Sequence, residues 1–333
     1  MAKRKAIAIV GAASLLGREL QELIQARKLP VAVHLFSGEP EAANGNLAVA
    51  DGEPVYYEPL TGDKLAEAAV ILLAGSAESS KRAMAIRPRR AAIVDLTGAL
   101  EDASADARLR APYSEAKKVS GPIQIVCHPA AIALDLLLAR LSEAAALRSA
   151  VVTVFEPASE RGQEGIQELQ KQTAALLSFQ KPPKAIFDTQ AAYNMLPAYG
   201  DDAPVKLAAV EERIERHLAS LIARRGSGTM PSIRVVHAPV FHAYSFGIWV
   251  EFSAPGVELE AIASALSADR RIDYRAADVE PPTNSGAAQQ SELIVGAVRR
   301  DRNNPKAWWM WMACDNLRVA AENAADVLQE IVG

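Results

Sequence analysis

Lys5-Ala-Ile-Ala-Ile-Val10, followed by Gly11-Ala-Ala-Ser14-Leu-Leu-Gly17 and the helical pattern of Leu15–Arg27, decides the fold. An apolar β-rich run that turns on glycines directly into a helix is the setting of a phosphate-binding turn. Backbone N–H groups at the helix N-terminus attract an anion, and glycine lets it come close. Ser14 stands mid-turn where a further glycine would be expected, which narrows the approach. Two readings stay open: a dinucleotide site formed by Gly11, Ala13, Ser14, Leu15, Leu16 and Gly17, or a tight strand-to-helix turn without a ligand. The next strand, Val31–Phe36, runs into Ser37-Gly38-Glu39, about twenty residues after Gly17. An acidic group there accepts hydrogen bonds from a ribose diol, so Glu39 favours NAD over NADP if it is not simply a solvated loop charge.

Working outward, Val70–Ala74 and Ala91–Leu96 repeat the short apolar pattern between helical stretches. Buried parallel strands joined by helical crossovers have this form. The region up to about Val126 reads as a doubly wound parallel sheet of Rossmann type. At Cys127-His128-Pro129 the pattern breaks, and Ala130–Ala145 is a helix rich in alanine and leucine. Further strands are expected at Val151–Phe155, Ile233–Val236, Phe246–Phe252, Leu293–Arg299 and Trp308–Met312, with helices at Gly165–Leu177, Val205–Arg224 and Glu258–Ala265. Strands so separated suggest an α+β domain with a mixed sheet. Asn316–Ile331 is a helix able to return to the first domain. The expected domains are therefore 1–128 with 316–333 for dinucleotide binding, and 129–315 for substrate and dimerisation. Gly38–Asn46 and Pro281–Gln290 read as loops.

Composition excludes several classes. The chain has 333 residues, 36 basic against 40 acidic, so no basic surplus points to nucleic acid or an anionic membrane. Two cysteines, Cys127 and Cys314, are too few for a disulfide framework or a thiolate metal cage. Lys3-Arg4-Lys5 and the apolar run after it imitate a signal peptide, but Gly11 and Gly17 interrupt the run and no small-residue cleavage site follows. The expectation is a cytoplasmic protein handling something small, with no metal.

Several stretches, taken together and in order, resemble the aspartate-semialdehyde dehydrogenase family: Val10–Gly17, Leu72-Leu-Ala-Gly75, Val94-Asp95, Gly162-Gln-Glu-Gly-Ile-Gln-Glu-Leu169, Asn194-Met-Leu-Pro197, Pro239-Val-Phe241, Val250-Glu-Phe252 and Trp311-Met-Ala-Cys-Asp-Asn-Leu-Arg318. The resemblance implies a homodimer and a nicotinamide cofactor touched also by Gly75 and Asn316. It implies a reaction in which a cysteine attacks the substrate carbonyl, a histidine serves as acid and base, and arginines hold the substrate's anionic groups. The departures fall on those groups. His128-Pro-Ala-Ala131 puts Ala131 in the nucleophile's slot, and Tyr244 takes the histidine's slot with Ala243 for glycine. The substrate arginine corresponds to His237, the orienting glutamine to Glu156 and the phosphate-binding arginine to Glu101. By resemblance the chain is similar to the Usg-type branch, which lacks the active-site set.

The remaining candidates have bland readings. Cys127 ends an apolar run and Cys314 lies on a strand, both as expected of buried thiols. His128, His237 and His242 have no metal spacing. His242 is expected on Tyr244's face of a strand, and His34 and His217 as ordinary structural histidines. Trp309 and Trp311 share one strand face and Trp308 the other, suiting sheet packing or a subunit interface. Three functional hypotheses follow: a binding protein for a dinucleotide, metabolite or protein partner that does not run the family reaction, an oxidoreductase with altered, noncovalent chemistry, or a purely structural partner that binds no small ligand.

Overall fold

Apolar tetrads such as Val70-Ile-Leu-Leu73, buried at every position, can only be strands covered on both faces. The computed structural model describes residues 5–38, 46–50, 53–102, 105–114 and 121–333. In chain order the first part runs β1 (Lys5–Val10), α1 (Leu15–Ala26), β2 (Val31–Phe36), β3 (Asn46–Ala50), β4 (Glu53–Tyr57), α2 (Gly62–Leu65), β5 (Val70–Leu73), α3 (Ala77–Ile86), β6 (Ala92–Asp95), β7 (Ala107–Arg110) and β8 (Ile123–Val126). The sheet order is β2-β1-β5-β6-β8-β7, and every pairing is parallel. The β3–β4 hairpin and β7 escape the sequence reading. The Gly38–Asn46 loop reading falls on residues that, apart from Gly38 and Asn46, lie outside the described ones; Asn46 opens β3.

The second part comprises α4 (Pro129–Ala144), β9 (Leu147–Glu156), a 3-10 turn at Ala158–Arg161, α5 (Gly162–Leu177), α6 (Leu207–Arg225), β10 (Ser232–His237), β11 (Tyr244–Phe252), α7 (Leu259–Ser267), β12 (Ile272–Tyr274), α8 (Asn284–Ala287), β13 (Leu293–Arg300), β14 (Ala307–Cys314) and α9 (Asn316–Val332). Its sheet, ordered β10-β9-β11-β14-β13-β12, is mixed: β10 is parallel to β9, whereas β11 is antiparallel to β9 and β14. Two compact units result, Met1–Cys127 with Ala320–Gly333, and His128–Val319.

In the first unit, the C-terminal part of α9 is held by polar contacts as well as apolar ones. Asn323 accepts from the Tyr113 N–H at 3.2 Å and donates to the Arg110 carbonyl at 3.0 Å. Arg110 pairs with Glu330 at 2.6 Å, and Arg27 with Glu322 and with Asp326.

In the second unit, alternation sorts the sheet into two faces. Val152 and Val154 of β9, Phe246, Ile248 and Val250 of β11, and Met310 and Met312 of β14 are buried. The opposite face carries Val151, Phe155, Trp249, Trp309 and Trp311, with Val151 48% and Trp309 42% exposed. Phe155 stacks on Trp311 at 5.4 Å, and the Trp249 and Trp309 indoles donate to the same Asp301 oxygen at 2.9 and 2.8 Å. As alternation requires, Trp308 is buried on the other face.

Gly11 shows how tightly the first unit is closed. Its φ is +78°, and a Cβ there would stand 2.2 Å from the Gly75 Cα. Gly11→Ala is therefore expected to cost about 3 kcal/mol or more, combining left-handed strain with a backbone clash. A fall in the urea unfolding midpoint measures this; an unchanged midpoint would contradict the close approach.

Candidate functional site

In the first unit, Ser14 caps α1. Its hydroxyl accepts from the Gly17 N–H at 2.9 Å and donates to the Ala74 carbonyl at 2.7 Å. One donor of the helix N-terminus is thus spent internally. The N–H groups of Leu15 and Leu16 remain without an intrahelical acceptor, as the first turn of any helix requires. Ala13 is exposed, Leu15 and Leu16 are half-buried, and Gly75 packs against Gly11. Ser37 is buried at the end of β2, while Glu39 lies outside the described residues. Arg82 donates to the neighbouring Gly38 carbonyl. Glu101 belongs to this unit, in the turn after β6, where its N–H donates to the Gly98 carbonyl at 3.3 Å. A phosphate would fit this turn at the open N–H pair, while the bare faces of Gly11 and Gly75 are taken up by each other and by Ser79.

A second cluster is built entirely within residues 128–319, around the turn that follows β9. Gly162, with φ +66°, ends the Ala158–Arg161 turn, and a Cβ on Gly165 would meet the Ala158 carbonyl at 2.4 Å. These glycines let the turn fold back on α5 and fix Glu160 and Arg161. The Ala158 and Ser159 N–H groups donate to Val240 and Phe241 carbonyls at 2.9 Å, tying the turn to the segment after β10. Two buried side chains of α5 hold the loop on the other side. Glu168 accepts from Ile186 and Phe187 N–H at 2.7 and 3.1 Å, and Gln172 from Ala191 and Ala192 N–H at 2.7 and 3.0 Å.

On that frame Glu156, His237, Tyr199, Arg161, Glu160, His128 and Tyr244 gather. Glu156 and His237 are partners in the parallel β9–β10 register. Arg161 and Tyr199 both donate to Glu156 Oε1, at 3.0 and 2.8 Å. The Tyr199 hydroxyl also meets His237 Nδ1 at 3.0 Å, and Phe187 packs on that imidazole at 4.8 Å between ring centres. Glu160 faces His128 Nε2 at 3.4 Å and accepts from Asn316 at 3.0 Å. Asn316 in turn meets Ser159 at 3.1 Å, so its amide is engaged within the unit. His128 caps α4, its Nδ1 accepting from the Ala130 N–H at 3.3 Å, and its own N–H donates to His217 Nδ1 at 2.9 Å.

Burial sets the protonation states, with the charges deciding the rest. Burial, then the Arg161 charge, lowers the His237 pKa to about 4, so the ring is neutral near pH 7. Burial likewise lowers His128 against the pull of Glu160. For Glu160 burial works upward, but His128, Arg161 and Asn316 outweigh it and hold the carboxyl at about 2. Burial raises Glu156 against Arg161, and raises the Tyr199 and Tyr244 phenols further with help from Glu156 and Glu160. Arg161 stays charged between two carboxylates.

The sequence candidates separate accordingly. Glu156, His237 and Tyr244 come together in one unit, with Ala131 fully buried in the first turn of α4 in the same unit. Tyr244 is fully buried; its hydroxyl has no hydrogen-bond partner of good geometry, although Glu160 lies close enough to act on its pKa. One reading needs correction. His242 does not share a strand face with Tyr244, because Ala243 adopts φ +67° and β11 begins only at Tyr244. His217 is a structural histidine, buried and accepting the His128 N–H. Glu156 is paired with Arg161. Arg161, Glu160 and Tyr199 carry no motif of their own, and only their chemistry in space marks them. Both cysteines are buried and neither is in a disulfide, and burial pushes the Cys314 thiol up. No group of metal-ligating side chains exists among the described residues, and no helix among them is long and apolar enough to cross a membrane.

A parallel doubly wound unit with a glycine turn, joined to a mixed-sheet unit with a buried polar cluster, defines a class of two-unit α/β proteins of dehydrogenase type. Residues 138–319 match the semialdehyde dehydrogenase dimerisation domain. Over 98% of this chain and 97% of the relative, the sequence is 29% identical to a USG-1 protein homolog from Pseudomonas aeruginosa. It is 25% identical to the aspartate-semialdehyde dehydrogenase of Rickettsia bellii, over 100% and 99%. A solved structure of a probable aspartate-semialdehyde dehydrogenase from Pseudomonas aeruginosa superposes with a TM-score of 0.81 at 28% identity, covering 98% of each chain. The chain belongs to the aspartate-semialdehyde dehydrogenase family.

The low pKa of His237 has a consequence for stability. The unfolded chain takes up this proton near pH 6.5 and the folded one only near 4. Stability is therefore lost as pH falls from about 6.5 to about 4, at up to ~1.4 kcal/mol per pH unit from this residue. His237→Gln is expected to flatten the pH dependence in that window, leaving the part due to His128. Urea unfolding at a series of pH values tests it; equal slopes for both proteins would refute the assignment.

Proposed function

We propose that this chain is a binding member of its family, on the USG-type branch, that does not run the thiol-dependent semialdehyde reaction. The observation that carries this reading is Ala131: a buried methyl group in the first turn of α4, where the family resemblance calls for the cysteine. Alanine has no atom able to attack a carbonyl. Tyr244 supports the reading from the other side, since a buried phenol with a raised pKa is a poor base at neutral pH. Cys314 offers no substitute nucleophile, because burial keeps its sulfur protonated.

Binding then becomes the function. The Leu15 and Leu16 N–H groups would hold a dinucleotide phosphate, on a turn that the Gly11–Gly75 packing keeps tight, with Ser37 beside it. A bound nicotinamide would supply hydride chemistry. This chain's own residues would position it. NAD is preferred to NADP because Glu39 would accept from a ribose diol and repel a 2′-phosphate. Calorimetric titration with both nucleotides measures that preference, and equal or reversed affinities would remove it.

The purified protein, given aspartate semialdehyde, phosphate and NAD or NADP, is expected to form no reduced nicotinamide above background. Cys127→Ser and Cys314→Ser should change nothing. Turnover abolished by Cys127→Ser would restore a displaced nucleophile, and turnover that survives it would favour hydride transfer without a covalent intermediate.

We further propose a homodimer through the sheet face that carries Val151, Phe155, Trp309 and Trp311. The half-exposed tryptophan and valine on an otherwise regular sheet, in the part of the chain matching a dimerisation domain, support it. Trp309→Glu is expected to shift the protein from dimer to monomer in sedimentation velocity. A variant that still sediments as a dimer would exclude this face.

A further inference from the structure

Hydrogen-bond direction along the Arg161–Glu156–Tyr199–His237 chain leaves specific atoms unused. Glu156 Oε1 accepts from the Arg161 guanidinium and from the Tyr199 hydroxyl. Tyr199 has one hydroxyl hydrogen, spent on Glu156, so at His237 it acts as acceptor. The bond at 3.0 Å must then come from His237 Nδ1–H. A neutral imidazole protonated at Nδ1 has a bare lone pair on Nε2. His237 Nε2 is buried and meets no donor, and neither does Glu156 Oε2. Both side chains are fully buried, and register places them side by side at the ends of β9 and β10.

Two buried donors also lack a bond of good geometry, Arg161 Nε and the Tyr244 hydroxyl, the latter with Glu160 nearby. Tyr244 belongs beside Glu156, since the two sit one residue beyond the Phe155–Ser245 pair of the antiparallel register. Buried polar atoms without partners are rare, and each costs about 1–3 kcal/mol unless something occupies the site. Four on side chains joined by the β9–β10 and β9–β11 registers and by the Arg161–Glu156 pair call for a common occupant. The charges around Arg161 bear on its sign: Glu156 and Glu160 flank that guanidinium, so an anion there would face the ionised Glu160, while Arg213 acts on His128 across the cluster.

We propose that this cluster binds a small amine that also carries a neutral oxygen, its N–H groups received by Glu156 Oε2 and His237 Nε2 and its oxygen by the Tyr244 hydroxyl and Arg161 Nε. Tyr199 is a positioning residue: it sets the imidazole tautomer that makes Nε2 an acceptor. The inference deepens the binding reading above and rests on it, but it is measured separately, because turnover plays no part in its test.

The test uses the whole chain labelled with 15N-histidine, the His237 resonances being identified by their loss in His237→Gln. Ethanolamine is the probe, with acetate and inorganic phosphate as anionic counterparts. The expected results are the Nδ1–H tautomer in the free protein and a saturable ethanolamine-dependent shift at Nε2, with no saturable response to either anion. Glu156→Gln and Tyr199→Phe should each weaken ethanolamine binding about tenfold or more, as loss of one charge-assisted bond or its support requires. Tyr199→Phe keeps the ring packed on Phe187 and guards against a folding artefact in Glu156→Gln. An Nε2–H tautomer, or saturable binding of acetate or phosphate, would overturn the proposal. So would the absence of any saturable shift with ethanolamine, which would leave internal water as the occupant. Anion binding without turnover would sink this inference and leave the binding reading standing.

Discussion

The ion pair between Arg161 and Glu156 is the constraint on which the polar centre of the second unit depends. A buried carboxylate is tolerable only with a partner and hydrogen bonds on its lone pairs. Arg161 supplies the charge, Tyr199 the second bond, and His237 completes the line. Their backbone supports follow from the same requirement. The left-handed Gly162 and the close approach at Gly165 bring Arg161 within reach of a strand end five residues earlier. Glu168 and Gln172 give the loop that precedes Tyr199 its hydrogen-bond partners, because that segment has no ladder of its own. Such pairs seldom add net stability over apolar packing, yet they impose one geometry. Here that geometry is a directed hydrogen-bond chain.

The first unit solves a different problem with glycine. Gly11, Gly17 and Gly75 permit backbone-to-backbone packing that any side chain would block. A dinucleotide turn and a tight structural turn demand the same residues at this point, so the glycines alone do not separate the two. Ser14 adds the informative detail. By capping its own helix it takes one N–H out of play and leaves a smaller anion-facing edge than an uncapped turn would.

How much of this was legible in the sequence depends on the distance over which each feature is decided. The parallel sheet and its glycine turn could be read because hydrophobic runs and turn residues act within about ten positions. β7 could not be read as an apolar run, since Ala107-Arg-Leu-Arg110 alternates charge with small apolar residues along the sheet edge. In the polar cluster, Ala131, Tyr244, His237 and Glu156 were found only by resemblance, slot by slot. Their partners were not, because a slot-by-slot resemblance is silent on the residues between its slots. Arg161 falls within a glycine-bounded turn, Tyr199 in an irregular loop and His217 on a charged helix. Nothing local joins them; tertiary packing does. His242 was misplaced for the opposite reason: alternation was extended one step too far, across an alanine in the left-handed region.

Strand parity separates this polar cluster from the tryptophan face. Along β9 and β11, Glu156 and Tyr244 lie on the face that also buries Val154 and Phe246. Val151, Phe155 and Trp249 point the other way, with Trp309 and Trp311 of β14 beside them across the register. Side chains one residue apart on a strand cannot reach the same neighbours. Exchanging a side chain on the inner face, Glu156 or Tyr244, therefore leaves the tryptophan face with its packing and its Asp301 anchor intact.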